Sequence, residues 1–229
     1  YGGLTLGAPW YVADKTVDAT QYGLYALDEM SWGNWRATLG LRHDWTEQSG
    51  GNVTNFGNTD FGRKDGATTG QASLGYEFGN GVHAYLAYAT SFLPQIGVDM
   101  NGNLLKPTHG KQWELGVKYE PTGFDGLFSA ALYDLTETDR TTVMGGGFPA
   151  PLLQPGKVNI RGLELEAVAD LGNGWSGKGA YTFASTKITG DNDGNELANT
   201  PRHSASLWLS HEFQTGALEG LTLSGGMRH

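Results

Sequence analysis

Between Lys157 and Ile188 the chain alternates with a period of two. Leu163, Leu165, Ala167 and Ala169 fall on one side, and Gly162, Glu164, Glu166 and Val168 on the other. Successive side chains of a strand point to opposite faces, so this stretch builds a strand with one apolar face and one face carrying two carboxylates. Leu171-Gly172-Asn173-Gly174 then makes a tight turn, because Gly and Asn take up positive φ at little cost. A second arm runs from Trp175 through Gly179, Tyr181 and Phe183 towards Ile188. Such a hairpin is marginal by itself in water. Its apolar face needs either a protein core or lipid to cover it, and the rest of the chain decides between them.

The same pattern recurs along the chain. A first strand covers about 18–29, with faces that are hard to separate. In the second, Trp35, Ala37, Leu39, Leu41, His43 and Trp45 oppose Arg36, Thr38, Gly40, Arg42 and Asp44. Residues 46–66 read as a long polar loop rich in Gly, Asn and Thr. The third strand sets Ala72, Leu74, Tyr76 and Phe78 against Gln71, Ser73, Gly75 and Glu77, and Gly79-Asn80-Gly81 turns into a fourth over 82–92. After a long loop at 93–110, the fifth sets Trp113, Leu115, Val117 and Tyr119 against Gln112, Glu114, Gly116 and Lys118. A sixth covers about 127–139, again with unclear faces, and a long loop follows over 140–156. Beyond the 157–188 hairpin come a long loop at 189–201, a ninth strand at 202–213 and a tenth from Leu221.

Three features then favour lipid over a core. First, short and long connections alternate. Antiparallel strands joined in sequence therefore gather tight turns at one end and long loops at the other, as outer-membrane barrels do and Greek-key sandwiches do not. Second, Arg36, Arg42, Asp44, Gln71, Glu77, Gln112, Glu114, Lys118, Glu164 and Glu166 share the polar side. Burying them in a small soluble barrel would cost several kcal/mol per ion, whereas a wet lumen removes most of that cost. Third, Trp35, Trp175, Tyr119 and Phe78 fall near the short-turn end, and Trp45 and Trp113 near the other, as two aromatic girdles would. The expected fold is all-β: a transmembrane antiparallel up-and-down β-barrel, of which these roughly ten strands form an incomplete part. Leu39, Leu41, Leu74, Tyr76, Leu115, Val117, Leu163 and Leu165 are expected to face lipid. Arg36, Arg42, Glu77, Glu114, Lys118, Glu164 and Glu166 are expected to face the lumen.

Composition agrees. The 36 Gly, 7 Trp, 10 Tyr and 9 Phe suit many strands and turns better than disorder, which is poor in aromatics. A formal charge of −9 gives no basic footprint for nucleic acid. The absence of Cys excludes disulfides and thiolate metal sites. Mean hydropathy is −0.37 and no long apolar run occurs, which rules out a membrane-spanning helix and leaves a barrel open.

Several segments, in order and spacing, resemble the C-terminal barrel of TonB-dependent outer-membrane siderophore receptors. They are Gly23-Leu24-Tyr25 with Asp28, then Trp35-Arg36-Ala37-Thr38-Leu39-Gly40-Leu41-Arg42; Tyr85-Leu86-Ala87-Tyr88 with Ser91-Phe92 and Pro94; Lys106-Pro107-Thr108 and Gly110-Lys111-Gln112-Trp113-Glu114-Leu115-Gly116-Val117-Lys118-Tyr119; Arg161-Gly162-Leu163-Glu164-Leu165-Glu166; and Asn199-Thr200-Pro201-Arg202-His203. The resemblance covers nearly the whole chain. It implies a 22-stranded barrel with an N-terminal plug, the plug and final strands lying outside this sequence. It also implies a non-enzymatic receptor in a Gram-negative outer membrane that binds a ferric siderophore and imports it with energy from the TonB complex, contacted through the plug. The iron would arrive inside its chelator, so no protein cofactor or metal ligand is expected. Aromatics on the long loops and outer strand ends are the expected ligand contacts: Tyr1, Trp10, Tyr11, Phe56, Phe61, Phe92 and Phe148. For each singly, packing of loop against loop is an equal explanation. Cobalamin, haem or an oligosaccharide as cargo, a passive porin-like channel, and a soluble carbohydrate-binding β-protein are the competing readings.

Other patterns are weaker. Asp191-Asn192-Asp193-Gly194-Asn195-Glu196 places oxygens at alternate positions as a calcium loop does, but without flanking helices an exposed loop tip is the commoner explanation. Asp99, Asn101 and Asn103 repeat the pattern less well. Glu164 and Glu166 sit two apart on one strand face, as wall carboxylates do, rather than across a cleft as in a glycosidase. His203 precedes a strand and reads as structural.

Overall fold

The computed structural model describes residues 13–54, 57–96, 104–143, 152–154, 156–189, 194–197 and 200–229. In chain order the strands are β1 Ala13–Trp32, β2 Trp35–Thr54, β3 Gly57–Glu77, β4 Val82–Leu93, β5 Thr108–Tyr119, β6 Gly126–Thr138, β7 Thr142–Val143, β8 Leu152–Leu153, β9 Lys157–Gly172, β10 Trp175–Thr189, β11 His203–Glu212 and β12 Thr222–Arg228. Ten of them form a single antiparallel sheet, each paired to the next along the chain. The tiny β7–β8 hairpin, within the 140–156 loop, is the exception. β1 and β12 are the two edges, and the sheet does not close on itself.

The turns follow the local sequence. Gly172, Asn173 and Gly174 all have positive φ, at 80°, 52° and 80°. Gly81 sits at φ 83° and could not carry a side chain, since a Cβ there would strike the Glu120 carbonyl. A register shift lies between Trp175 and Ser176, where β10 leaves that turn.

Strand register carries two faces across the whole sheet. Leu39, Leu41, Leu74, Tyr76, Leu115, Val117, Leu163 and Leu165 all lie on one face. Arg36, Arg42, Glu77, Glu114, Lys118, Glu164 and Glu166 all lie on the other. Burial is inverted relative to a water-soluble fold: Leu24 is 73% exposed and Leu41 66%, whereas Asp44 is 3% and Gln48 4% exposed. Apolar side chains left outside over a continuous face mark an interaction or membrane surface. Rings recur at both margins of that face. Trp35 packs edge-on to Tyr76, and Tyr76 to Phe78, at the turn end. Tyr22 stacks on Trp45, and Tyr88 packs on Trp113, towards the loop end. Trp35 and Trp45, ten residues apart on β2, are separated by about 34 Å along the strand, or roughly 25 Å once tilted, the height of a barrel's apolar band. On β5, Tyr119 and Trp113 are only six apart, and there the polar margin begins at Trp113, whose register neighbour is Asp134.

Two expectations need correction. The stretch 46–66 is not a loop: β2 runs on to Thr54 and β3 starts at Gly57, paired without a break. Above the lipid both faces are wet, so ladder hydrogen bonds persist with no alternation to reveal them. β1 likewise begins at Ala13, paired to Thr54, rather than near 18. Within β1 the faces mix, since Asp28 stands on the apolar face while Tyr25 and Leu27 stand on the polar one. Leu27 covers Gly40, where an added Cβ would meet its Cδ1 at 3.1 Å. β6 is mixed too, with Phe128, Ala130 and Leu132 on the apolar face and Leu127, Tyr133 and Leu135 on the polar face.

Candidate functional site

Because β-strands alternate, every second residue of the ten strands builds one polar wall. Near the turns, Arg36 of β2 reaches Glu77 of β3 at 2.8 Å. Midway, the Tyr85 hydroxyl of β4 donates to Glu114 of β5 at 2.7 Å, and Gln112 donates to the other carboxylate oxygen at 3.0 Å. Lys118 Nζ lies 5.8 Å from the Tyr85 ring centroid. Higher on β2, Asp44 receives two bonds from Arg42 at 2.7 Å and one from Gln21 of β1 at 3.0 Å. A recess of about 430 Å³ opens on this wall between Arg36, Gln71, His83, Tyr85, Glu114 and Lys118. Arg36 and Glu77 pair across strands while Arg42 and Asp44 pair within β2, and the half-exposed Arg36–Glu77 pair offers its charges without a large desolvation cost.

Aromatic rings on this wall were missed by sequence reasoning. Tyr85 reclines over Gly116, Tyr133 over Gly162 and Trp208 over Gly226, each so closely that a Cβ on the glycine would collide with the ring. His83 covers Gly75 in the same manner, with a Cβ 2.6 Å from the imidazole. The signal was present as Gly facing an aromatic across neighbouring strands, but it becomes visible only once register is known.

At the loop end the wall is tied to the chain above it. Gln48 donates to the Gln95 carbonyl at 3.0 Å, Gln95 to Thr108 at 3.2 Å, and Thr108 to the Asp139 carbonyl at 3.0 Å. Gln154, singled out by nothing in the sequence, accepts from Lys106 N at 2.8 Å and donates to the Lys106 and Asp139 carbonyls at 2.7 Å each. Leu105, next in sequence to Lys106, and Val158 of β9 are buried. Across the sheet, Leu197 N donates to Thr186 at 2.9 Å, and Glu196 is paired with Arg202. That guanidinium holds the Glu196 carboxyl below the ordinary range.

Of the aromatic ligand candidates, Tyr1, Trp10, Tyr11, Phe56 and Phe148 lie outside the described residues. Phe61 stands on the polar wall at the loop end, against Gly50, where a Cβ would come within 2.8 Å of its ring. Phe92 does not join it. The β4 register places Phe92 on the apolar face, its ring 5.5 Å from that of His109, so it leaves the set of inward contacts. The weaker patterns stay apart as well. Glu196 is engaged by Arg202, residues 190–193 and 99, 101 and 103 lie outside the described residues, and His203 accompanies Tyr181 and Phe183 on the apolar face. Among the described residues no His, Asp and Glu cluster could hold a metal ion.

Comparison with known proteins agrees with this architecture. A family model described as TonB dependent receptor-like, beta-barrel matches residues 2–229. The ferrioxamine B receptor of Salmonella typhimurium is 40% identical over 212 residues, covering 91% of this chain and 30% of that protein. The ferrichrome outer membrane transporter/phage receptor of Escherichia coli is 38% identical over 212 residues, covering 91% and 28%. The chain thus spans about a third or less of the length of these relatives. Among solved structures, the alcaligin outer membrane receptor of Bordetella pertussis superposes with a TM-score of 0.68 at 25% identity, over 93% of this chain and 37% of that one. With the family model matching almost every residue, the two-faced sheet is explained: this chain belongs to the TonB-dependent receptor-like β-barrel family, and its ten strands are wall of an outer-membrane barrel.

Proposed function

We propose that this barrel wall serves a receptor that captures a ferric siderophore at the long-loop end and imports it with energy delivered by the TonB complex. The observation that carries the reading is the 40% and 38% identity to receptors for ferrioxamine B and ferrichrome, spread over the full wall rather than confined to one motif. The polar wall supports it, since it presents alternating donors, acceptors and reclining rings to whatever crosses the lumen. The iron enters as part of its chelate, so the protein supplies shape, aromatic surface and hydrogen bonds rather than metal ligands. Phe61 and the bonded loop bases around Gln154 lie at the long-loop end of the wall. Further strands complete the barrel in this reading, because open sheet edges in lipid would leave backbone groups unpaired. A soluble carbohydrate-binding protein would not leave Leu24 and Leu41 outside, and a passive porin does not account for the family match.

The test is tryptophan fluorescence of the intact receptor in detergent, titrated with ferrioxamine B, ferrichrome, cobalamin and haem. Saturable quenching by one ferric siderophore, and none by its iron-free form, is expected. Quenching by cobalamin or haem alone would reassign the cargo.

A further inference from the structure

One carboxylate stands where a lipid-facing wall has no use for it. Asp28 of β1 lies opposite Leu39 of β2, on the apolar face, and is exposed there. The side chains that share this face around it are Ala26 and Met30 along β1 and Ala37, Leu39 and Leu41 across on β2. None of them can hydrogen-bond a carboxylate. On β1 the ring margins are Trp32, opposite Trp35, and Tyr22, stacked on Trp45. Asp28 is four residues from Trp32, about 13 Å along the strand or roughly 10 Å once tilted, and so lies well inside the apolar band. A long Lys or Arg side chain can snorkel to a margin, but an Asp is too short. Among the described residues it is the one Asp, Glu, Lys or Arg on this face between the margins. Two acids further up the same side have partners: Asp134 takes Arg161 and Asn159 at the loop-side margin, and Glu47 meets Lys64 beyond it. Asp28 has none among the described residues, and its remaining lateral neighbour lies across the outer edge of β1.

We infer that Asp28 forms an ion pair within the membrane with a Lys or Arg on the strand that covers this edge, and that the pair fixes the register of that seam. The inference rests on the receptor reading, in which further strands complete the barrel. Each strand of the sheet pairs with the next along the chain, so the strand on this edge precedes β1 in the full-length protein. The relatives leave ample length for it, since this chain covers only 30% and 28% of them. Opposed residues on neighbouring strands have Cβ atoms about 5 Å apart, which brings a cation there within reach of Asp28. In hydrocarbon a carboxylate gains more from a charged donor than from a neutral one. A slip of one residue would turn that cation to the lumen and leave Asp28 alone in lipid, so the pair selects one register. With the carboxylate engaged, a second cation beside it at position 39 gains no partner.

The experiment uses the full-length receptor folded into lipid vesicles, with stability read from denaturant-induced unfolding and folding from heat-dependent gel mobility. Asp28→Leu makes the lipid face more apolar, yet it should lower the folded-to-unfolded ratio by about a hundredfold, because the cation loses its partner. Asp28→Asn should also lower it, and Asp28→Glu should restore most of it. Each outer-face Lys and Arg of the preceding strand is then changed to Leu in both backgrounds. One of them should be as damaging as Asp28→Leu in the wild type and harmless in the Asp28→Leu protein. Asp18→Leu, on the same face beyond Tyr22, should change little. Wild-type stability of Asp28→Leu or Asp28→Asn, absence of any coupled cation, or normal assembly of Leu39→Arg with Asp28 as its counter-charge would overturn the inference. The assay contains no siderophore, so its failure and failure of the import reading are distinguishable.

Discussion

At the scale of single residues, the wall is shaped by rings lying on glycines. Tyr85 covers Gly116 and at the same time donates to Glu114, so the glycine sets where a polar contact of the wall can form. Gly116→Val should push the ring off, break that bond and destabilise the folded barrel by about 1–3 kcal/mol. Tyr85→Ala in the same background should recover part of the loss, a coupling of about 0.5–3 kcal/mol in a double-mutant cycle read from denaturant-induced unfolding. Gly225→Ala, with nothing within 4 Å, should be nearly silent. Glu196 and Arg202 give a pH-dependent case. The folded carboxyl titrates below its unfolded value, about 4.3, because Arg202 binds the charged form. The pair's contribution is therefore fully present above that value and is lost as pH falls through the depressed one. Hydrogen exchange at Leu197 should be flat from pH 7 to about 5, after correction for intrinsic rates, and should accelerate only below about 4. In Arg202→Ala it should already be fast at neutral pH.

At the scale of strands, lipid imposes the alternation and water removes it. This is why β5 and β9 were legible residue by residue, and why the extension of β2 and β3 beyond Trp45 was not. In that extension Glu47 meets Lys64 on one face and Arg63 meets Asp65 on the other, so neither face is apolar. β1 and β6 were obscure for a different reason. Leu27 and Tyr133 sit on the polar wall because a glycine opposite makes room for them, and single-strand periodicity has no access to that partner. The face assignment itself is testable on β2. Leu39→Arg puts a cation on the apolar face and should cost about 2–4 kcal/mol near the bilayer midplane, abolishing membrane assembly. Thr38→Arg points to the polar wall, where its register partners are Glu29 and Ser73, and should assemble normally. Folded yield in outer-membrane fractions reads both, and equal damage would reverse the assignment.

At the scale of the whole molecule, the fold was legible from the distribution of connections and the two-sided strands, which are properties of the entire chain. The site was much less so. Its inward-facing polar residues followed from parity alone, but Gln154 acts through backbone groups of a neighbouring segment, and no side-chain pattern announces that. Phe92 shows the reverse failure, since an aromatic at a strand end faces in or out according to a single step of register. The extension of β1, β2 and β3 has one more consequence. Nine residues of β2 beyond Trp45 carry the ladder about 30 Å further along the strand, well clear of the bilayer. Because three strands are hydrogen-bonded there, the ladder keeps a fixed backbone course beyond the aromatic margin. In the receptor reading this ladder stands at the outer end, so substitutions on its described faces would alter what an antibody meets while the barrel beneath kept its form.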